Sequence, residues 1–231
     1  AKQELTYTDT STVNFVEEWP ADRRIIYIVD LVAAWNTRGI PIELATEQQD
    51  GNGGWKPPVL FRHTRFAWQS APDPLDRQLA QMLLGAPFVS GYGSGPIVNR
   101  FVLTGAAINT TLPLMCQTGR CRIRTAEDPK PLDAMHWDDG PPWQFHLRIE
   151  RAGDDFALSA ELRREGAIMS LTEPAMLHSH GILVVGHRFA RFDFGGAFSL
   201  VSSLRESAPV QVPQRELPAL LESLFTLPRR P

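Results

Sequence analysis

A chain of 231 residues with 43% hydrophobic and 21% charged side chains has an ordinary globular composition, which excludes a wholly disordered or fibrous polypeptide. Its formal net charge of −3 argues against a nucleic-acid clamp acting alone, because phosphate-dominated binding draws on a basic surface. Two cysteines, Cys116 and Cys121, are too few for a disulfide scaffold, so a reducing cytoplasm is the expected compartment.

The opening AKQELTYTDTSTV lacks the charged-then-apolar layout of a signal peptide. The start at Ala1 and the LPRRP close predict a segment of a longer chain. Ile25 to Val29 is a β-branched and aromatic run, apolar on both faces, and predicts a strand. Asp30 is placed to cap a short helix carrying Leu31, Ala34 and Trp35, with Gly39 able to end it. Gln48 to Pro58 holds DGNGG and a Pro-Pro pair, residues that supply turn dihedrals and withhold amide donors, and predicts a loop. A helix capped by Asp73 follows, with Pro74 at its first position, Leu75, Leu79, Met82 and Leu83 along one face, and Gly85 as its stop. SGYGSGP (90–96) then reads as a connector, and Ala106 to Met115 as a third helix.

From Trp143 the period changes to two. Trp143, Phe145, Leu147 and Ile149 alternate with polar residues, Ala152 to Asp155 turns the chain, and Phe156, Leu158, Ala160 and Leu162 alternate again as a hairpin. Short strands are expected at Ile168 to Leu171, Ala175 to Leu177, Ile182 to Val185, Arg188 to Asp193 and Phe198 to Val201, an antiparallel meander. Leu217, Leu220, Leu221 and Leu224 give a closing helix that tolerates Pro218 only in its first turn. The expected class is α+β, mixed over 1–130 and a β-meander with a closing helix over 131–231, joined as one domain or two. No membrane span is expected, since no run of about 18 apolar residues occurs.

Candidate chemistry is sparse. SGYGSGP lacks the lysine of a phosphate loop, and no strand runs directly into it as a dinucleotide fingerprint requires. Cys116 and Cys121 flank a four-residue turn, but zinc would need two further ligands, so buried reduced thiols are expected. His178 and His180 form an HxH pair that could chelate a metal from one strand face, although Gly181 marks a turn there. Asp138-Asp139 and Asp154-Asp155 sit beside Gly or Pro, where turn chemistry accounts for them. Trp137 and Trp143 bracket the rigid turn WDDGPPW, either packed under the meander or offered to a partner. Arg120, Arg122 and Arg124 alternate through CRIRT and would make one basic strand stripe.

The passage from Met135 to Arg164, with WDDGPPW, and the passage from Leu171 to Leu221, with DFGGAF, resemble the region preceding the ATPase core in bacterial Swi/Snf-type DEAD/DEAH-box helicases. RRIIYIVDLVAAW and FRHTRFAWQSAPDPLDRQLAQML are similar to the start of that accessory region. The resemblance implies no catalytic, cofactor-binding or metal-binding residue in this segment; ATP and Mg²⁺ would belong to a downstream module. It implies a nucleoid-associated parent, with the parent's ATPase core as the partner and DNA reached through it. The candidate interaction surface is Trp137, Asp138, Asp139, Gly140 and Trp143 together with Arg120, Arg122 and Arg124. Two further readings stand beside it: a free-standing metal-dependent hydrolase using His178, His180 and Asp193, and a direct DNA-binding module.

Overall fold

The computed structural model describes residues 18–34, 39–61, 65–86, 99–125, 133–207 and 209–225. The Ile25–Val29 run forms β1 (Arg23–Asp30), with Ile25, Tyr27 and Val29 facing a large core and Ile26 and Ile28 packing with Ala45 on the opposite face. The Asp30 carboxylate accepts the Ala33 amide at 3.1 Å and starts α1 (Leu31–Ala34). β2 (Ile40–Gln48) returns antiparallel to β1, and Asp50 then turns the chain by accepting the amides of Asn52 and Gly54. β3 (Val59–Leu60) lies on the outer edge of β2, followed by α2 (Arg65–Gln69) and α3 (Pro74–Leu84), whose first turn is capped by Asp73.

β4 (Arg100–Leu103) joins the same edge of β2. α4 (Ala106–Gln117) then carries the chain across the sheet to β5 (Cys121–Arg124), which pairs parallel to β1, and β6 (Asp133–Ala134) borders β5. A parallel pairing needs such a crossover, and a helix buries it on the sheet face. Leu79, Ala80 and Leu83 of α3 and Ile108, Leu112 and Met115 of α4 meet Tyr27, Leu44 and the aromatic file Trp19, Phe61, Trp68 and Phe101. The loop at 90–96 and Trp35 lie outside the described residues.

The second sheet contains β7 (His136–Trp137), β8 (Trp143–Ala152), β9 (Asp155–Arg164), β10 (Ala167–Ser170), β11 (Met176–His178), β12 (Ile182–Val185) and β13 (Arg188–Asp193). α5 (Phe198–Ser207), β14 (Val210–Val212) and α6 (Leu217–Phe225) complete it. The path runs β10-β9-β8-β13-β12-β11, an open and curled sheet. The class is α+β, with two mixed sheets.

Two expectations need correction. The second sheet is not a pure antiparallel meander, because β7 and β8 both pair parallel to β13. Phe198 to Val201 is helical rather than extended: Gly195 and Gly196 reverse the chain at positive φ of 57° and 88°, and Phe198, Val201 and Leu204 then recur at helical spacing against the second core.

β12 is buried on both faces, and β13 contributes buried residues to both sides at Phe189, Ala190 and Phe192. Ile182, Val184 and Phe189 belong to the first core, and Leu183, Ala190 and Phe192 to the second. The continuous apolar run ILVV of β12 is what a strand enclosed on two sides requires, while β13 keeps Arg188, Arg191 and Asp193 exposed. This pair is a wall shared by the two cores.

Candidate interaction surface

The WDDGPPW segment is a corner built onto β13. β7 enters parallel to it, with the His136 amide donating to His187 O and the Asp138 amide to Phe189 O, both at 2.9 Å. The Asp138 carboxylate then accepts the Gly140 amide at 2.9 Å, an Asx-type turn, and after Pro141-Pro142 the chain rejoins β13 with Trp143 opposite Phe192. Arg164, at the end of β9, donates to the other Asp138 oxygen at 2.8 Å while its guanidinium lies 4.6 Å above the Trp143 ring. Arg191 reaches the Gly140 carbonyl at 3.0 Å and the Asp139 carbonyl at 3.4 Å.

The consequence for the two tryptophans is packing. Trp143 is buried in the second core, and Trp137 is half-buried against the first. The exposed part of the corner is His136, Asp139, Pro141, Arg188 and Arg191. Burial works against ionisation of Asp138, but the Arg164 and Gly140 hydrogen bonds and the Arg164 and Arg188 charges outweigh it and hold the carboxyl below its usual range.

Gly140 is required by space rather than by its backbone dihedrals. A Cβ there would stand 2.9 Å from Asp138 Oδ1 and 3.1 Å from Arg164 Nη1. Gly140→Ala is therefore expected to lower the unfolding free energy by about 1–3 kcal/mol, the usual range for an overpacked site. Denaturant midpoints at constant slope would measure it.

Arg120, Arg122 and Arg124 do not form a stripe. Strand alternation begins only at Cys121, and Arg120, one residue earlier, turns to the N-terminus of α3 instead. There it grips Asp76 with both terminal nitrogens, at 2.8 and 3.0 Å, and also pairs with Asp73. Tyr27 completes this buried knot by donating to Asp76 Oδ1 at 2.7 Å. Burial and the neighbouring Asp76 charge push the Tyr27 hydroxyl well up, so it stays a donor.

Arg122 donates to the Gly119 and Cys121 carbonyls at 3.0 Å. Arg124 bridges Asp30 at 2.9 Å and Glu43 at 2.8 Å, and Arg100 holds the second Glu43 oxygen at 2.7 Å. Burial opposes the charge on Glu43, but these two arginines outweigh it and lower its pKa. Stability from Glu43 is thus present above the unfolded carboxyl range, near about pH 4.3, and is lost as pH falls through the lower folded value. Glu43→Gln is expected to flatten the acid limb of the stability-versus-pH curve, which chemical denaturation at stepped pH would measure.

The remaining candidates fall elsewhere. The Asp193 carboxylate accepts the Gly195 amide at 3.0 Å, and Asp154 and Asp155 are exposed at the β8–β9 turn. Cys116 and Cys121 are free and buried; contact with Cys116, followed by burial, raises the Cys121 thiol well above its usual value. His178 and His180 face each other across the β11–β12 turn, with Nδ1 atoms 3.3 Å apart. Among the described residues no three His, Cys, Asp or Glu side chains form a metal-holding group, and no helix is long and apolar enough to cross a membrane.

Sequence reasoning did not find the Tyr27–Asp76–Arg120 knot or the Asp30–Arg124–Glu43–Arg100 chain. Their members lie 44 to 94 residues apart, and only buried acids inside apolar strands, such as Glu43 in IPIELAT, could have signalled them. No family model matches the chain, and no curated protein or solved structure matches it at a significant level.

Proposed function

We propose that this chain is a non-catalytic accessory region of a bacterial Swi/Snf-type DNA-dependent ATPase, docking on the motor or on a partner and biasing the motor between lobe arrangements. One observation supports the reading above others. WDDGPPW lies along β13, the strand that runs into DFGGAF some 50 residues later: Trp137 pairs with Phe189 and Trp143 with Phe192 within β13, and Gln144, one residue past the first motif, pairs with Asp193, which opens the second. Motifs that fold into one corner constrain each other, which is how a shared scaffold would keep both.

The corner presents His136, Asp139, Arg188 and Arg191 on a rigid frame, a mixed-charge surface suited to a polar protein contact. Regulation requires that this surface bind one motor arrangement better than the other. DNA-stimulated ATP turnover of the parent protein, measured with and without this segment, is expected to differ by about 5-fold or more, as a coupling of about 1–3 kcal/mol implies. Asp139→Lys with Arg188→Glu, both at exposed positions, is expected to move the rate in the same direction as deletion. Identical DNA-stimulated rates for parent and deletion would remove the regulatory proposal.

A further inference from the structure

We infer that His178 and His180 are a proton-sharing pair that closes the β11–β12 turn and releases the edge strand β11 when a second proton binds. The inference is independent of the docking role. His178 ends β11, and Gly181 leads into β12 at a φ of 79°. One nitrogen of His178 does the closing. Its Nδ1 accepts the His180 backbone amide at 3.2 Å and faces His180 Nδ1 at 3.3 Å, with the ring planes 27° from parallel. The shorter contact needs a lone pair on His178 Nδ1, so the proton between the two Nδ1 atoms belongs to His180. The hydrogen bond of His178 to the Gly39 backbone then falls to its Nε2–H and ties this turn to the residue before β2.

This wiring separates the two protons that the pair can gain. A proton added at His180 Nε2 leaves the shared hydrogen bond in place and gives it a charged donor, which strengthens it. The next must go onto His178 Nδ1. It takes the acceptor away from the His180 amide and sets two N–H groups and two like charges against each other across the 3.3 Å gap. Burial, followed by the His180 charge, lowers the His178 pKa against the Gly39 hydrogen bond, which agrees with that order.

Charged neighbours in the described structure are engaged elsewhere. β11 and β12 carry no ionisable residue besides His178. Arg191, opposite Ile182 on β13, is bonded to the Asp139 and Gly140 carbonyls, and Asp193 to the Gly195 amide. Ahead of β11, Glu173 accepts the Ser170 amide and Arg205 donates to the Pro174 carbonyl. Around Gly39 stand the uncharged Val102, Leu103 and Thr104.

The consequence is local. β11 is the edge of the second sheet and pairs with β12 alone, whereas β12 is also held by β13 and by both cores. Loss of the turn therefore frees β11 and bares a strand edge while β12 stays in place. Because the folded His178 pKa lies below the unfolded one, β11 pairing is fully present above about pH 6.5 and is lost as pH falls through the lower folded value.

The test is a titration of the imidazole ¹⁵N signals of the unmodified chain from about pH 8 down through the histidine range, with amide hydrogen exchange followed at the same steps. His180 is expected to gain its proton first and His178 to titrate below the ordinary value of about 6.5. As His178 charges, the His180 amide and the β11–β12 amides should lose protection about tenfold for each unit of that depression, while the β12–β13 amides keep theirs. His180→Ala should move the His178 titration upward, by removing the neighbouring charge. Since the titration uses the unmodified chain, it decides the matter even if that variant does not fold. A His178 that charges before His180 or at the ordinary value, β11–β12 amides that stay protected through its titration, or loss spread equally over β12–β13 would overturn the switch.

Discussion

Arg120→Ala is expected to lower the unfolding free energy by about 3–5 kcal/mol, a large share of the stability of an ordinary domain. The magnitude comes from what is left behind. Asp76 is only 2% exposed, on the first turn of α3, and Arg120 supplies two of its hydrogen bonds and its counter-charge. Without the guanidinium the carboxylate keeps the Tyr27 hydroxyl alone, and a buried charge with one neutral donor must either take a proton or open the α3–β5 contact to water. Asp73, which caps the same helix through the Leu75 amide at 2.9 Å, loses its partner as well.

Asp76→Asn alone should cost less, because the amide still accepts from Tyr27. The double variant should fall well short of the sum of the single costs, since both mutations break one network. Strict additivity in that cycle, or an Arg120→Ala cost below about 1 kcal/mol, would mean that the knot contributes little beyond packing.

The knot also shows where sequence reading stops. Strand β1, the α3 cap and the β8–β9 hairpin are legible because each rests on neighbours within a few residues: a continuous β-branched run, an Asp-Pro start, a Gly-Asp turn. Arg120 was misplaced because alternation through CRIRT was extended one residue beyond the strand, and nothing local says that α3, 44 residues earlier, holds its acid. Phe198 to Val201 failed for a related reason. Phe198 and Leu200 stand two residues apart and Phe198 and Val201 three apart, so the four residues fit either period, and the Gly195-Gly196 reversal decides it. In the candidate site the turn chemistry of Asp138 and Gly140 was visible, whereas Arg164 and Arg191, which lock it, come from strands that no local pattern connects to it.

The second large effect is expected at Phe189. Truncation to alanine should cost about 3–5 kcal/mol, the range for an aromatic side chain removed from a packed core. Phe189 is fully buried in the first core, yet it sits on β13, whose next residues Ala190 and Phe192 line the second. The same strand receives β7, β8 and β12, so it joins elements that line both cores. A cavity on one side of such a wall lets the strand shift, and the shift is transmitted to Leu183 and Phe192 on the other side because packed interiors deform together.

The expected signature is therefore more than a lower midpoint. Native-state hydrogen exchange should show protection falling by a similar amount for the β1–β2 amides and for the β8–β9 amides, and circular dichroism and tryptophan fluorescence should report one coincident transition. If β8–β9 kept its full protection while β1–β2 lost it, the two halves would be separate folding units that happen to touch. The corner carrying WDDGPPW and DFGGAF would then be stabilised by the second sheet alone. Coincident loss would make that corner answer to the first core as well, so that a ligand or partner acting on either sheet has a physical route to the other.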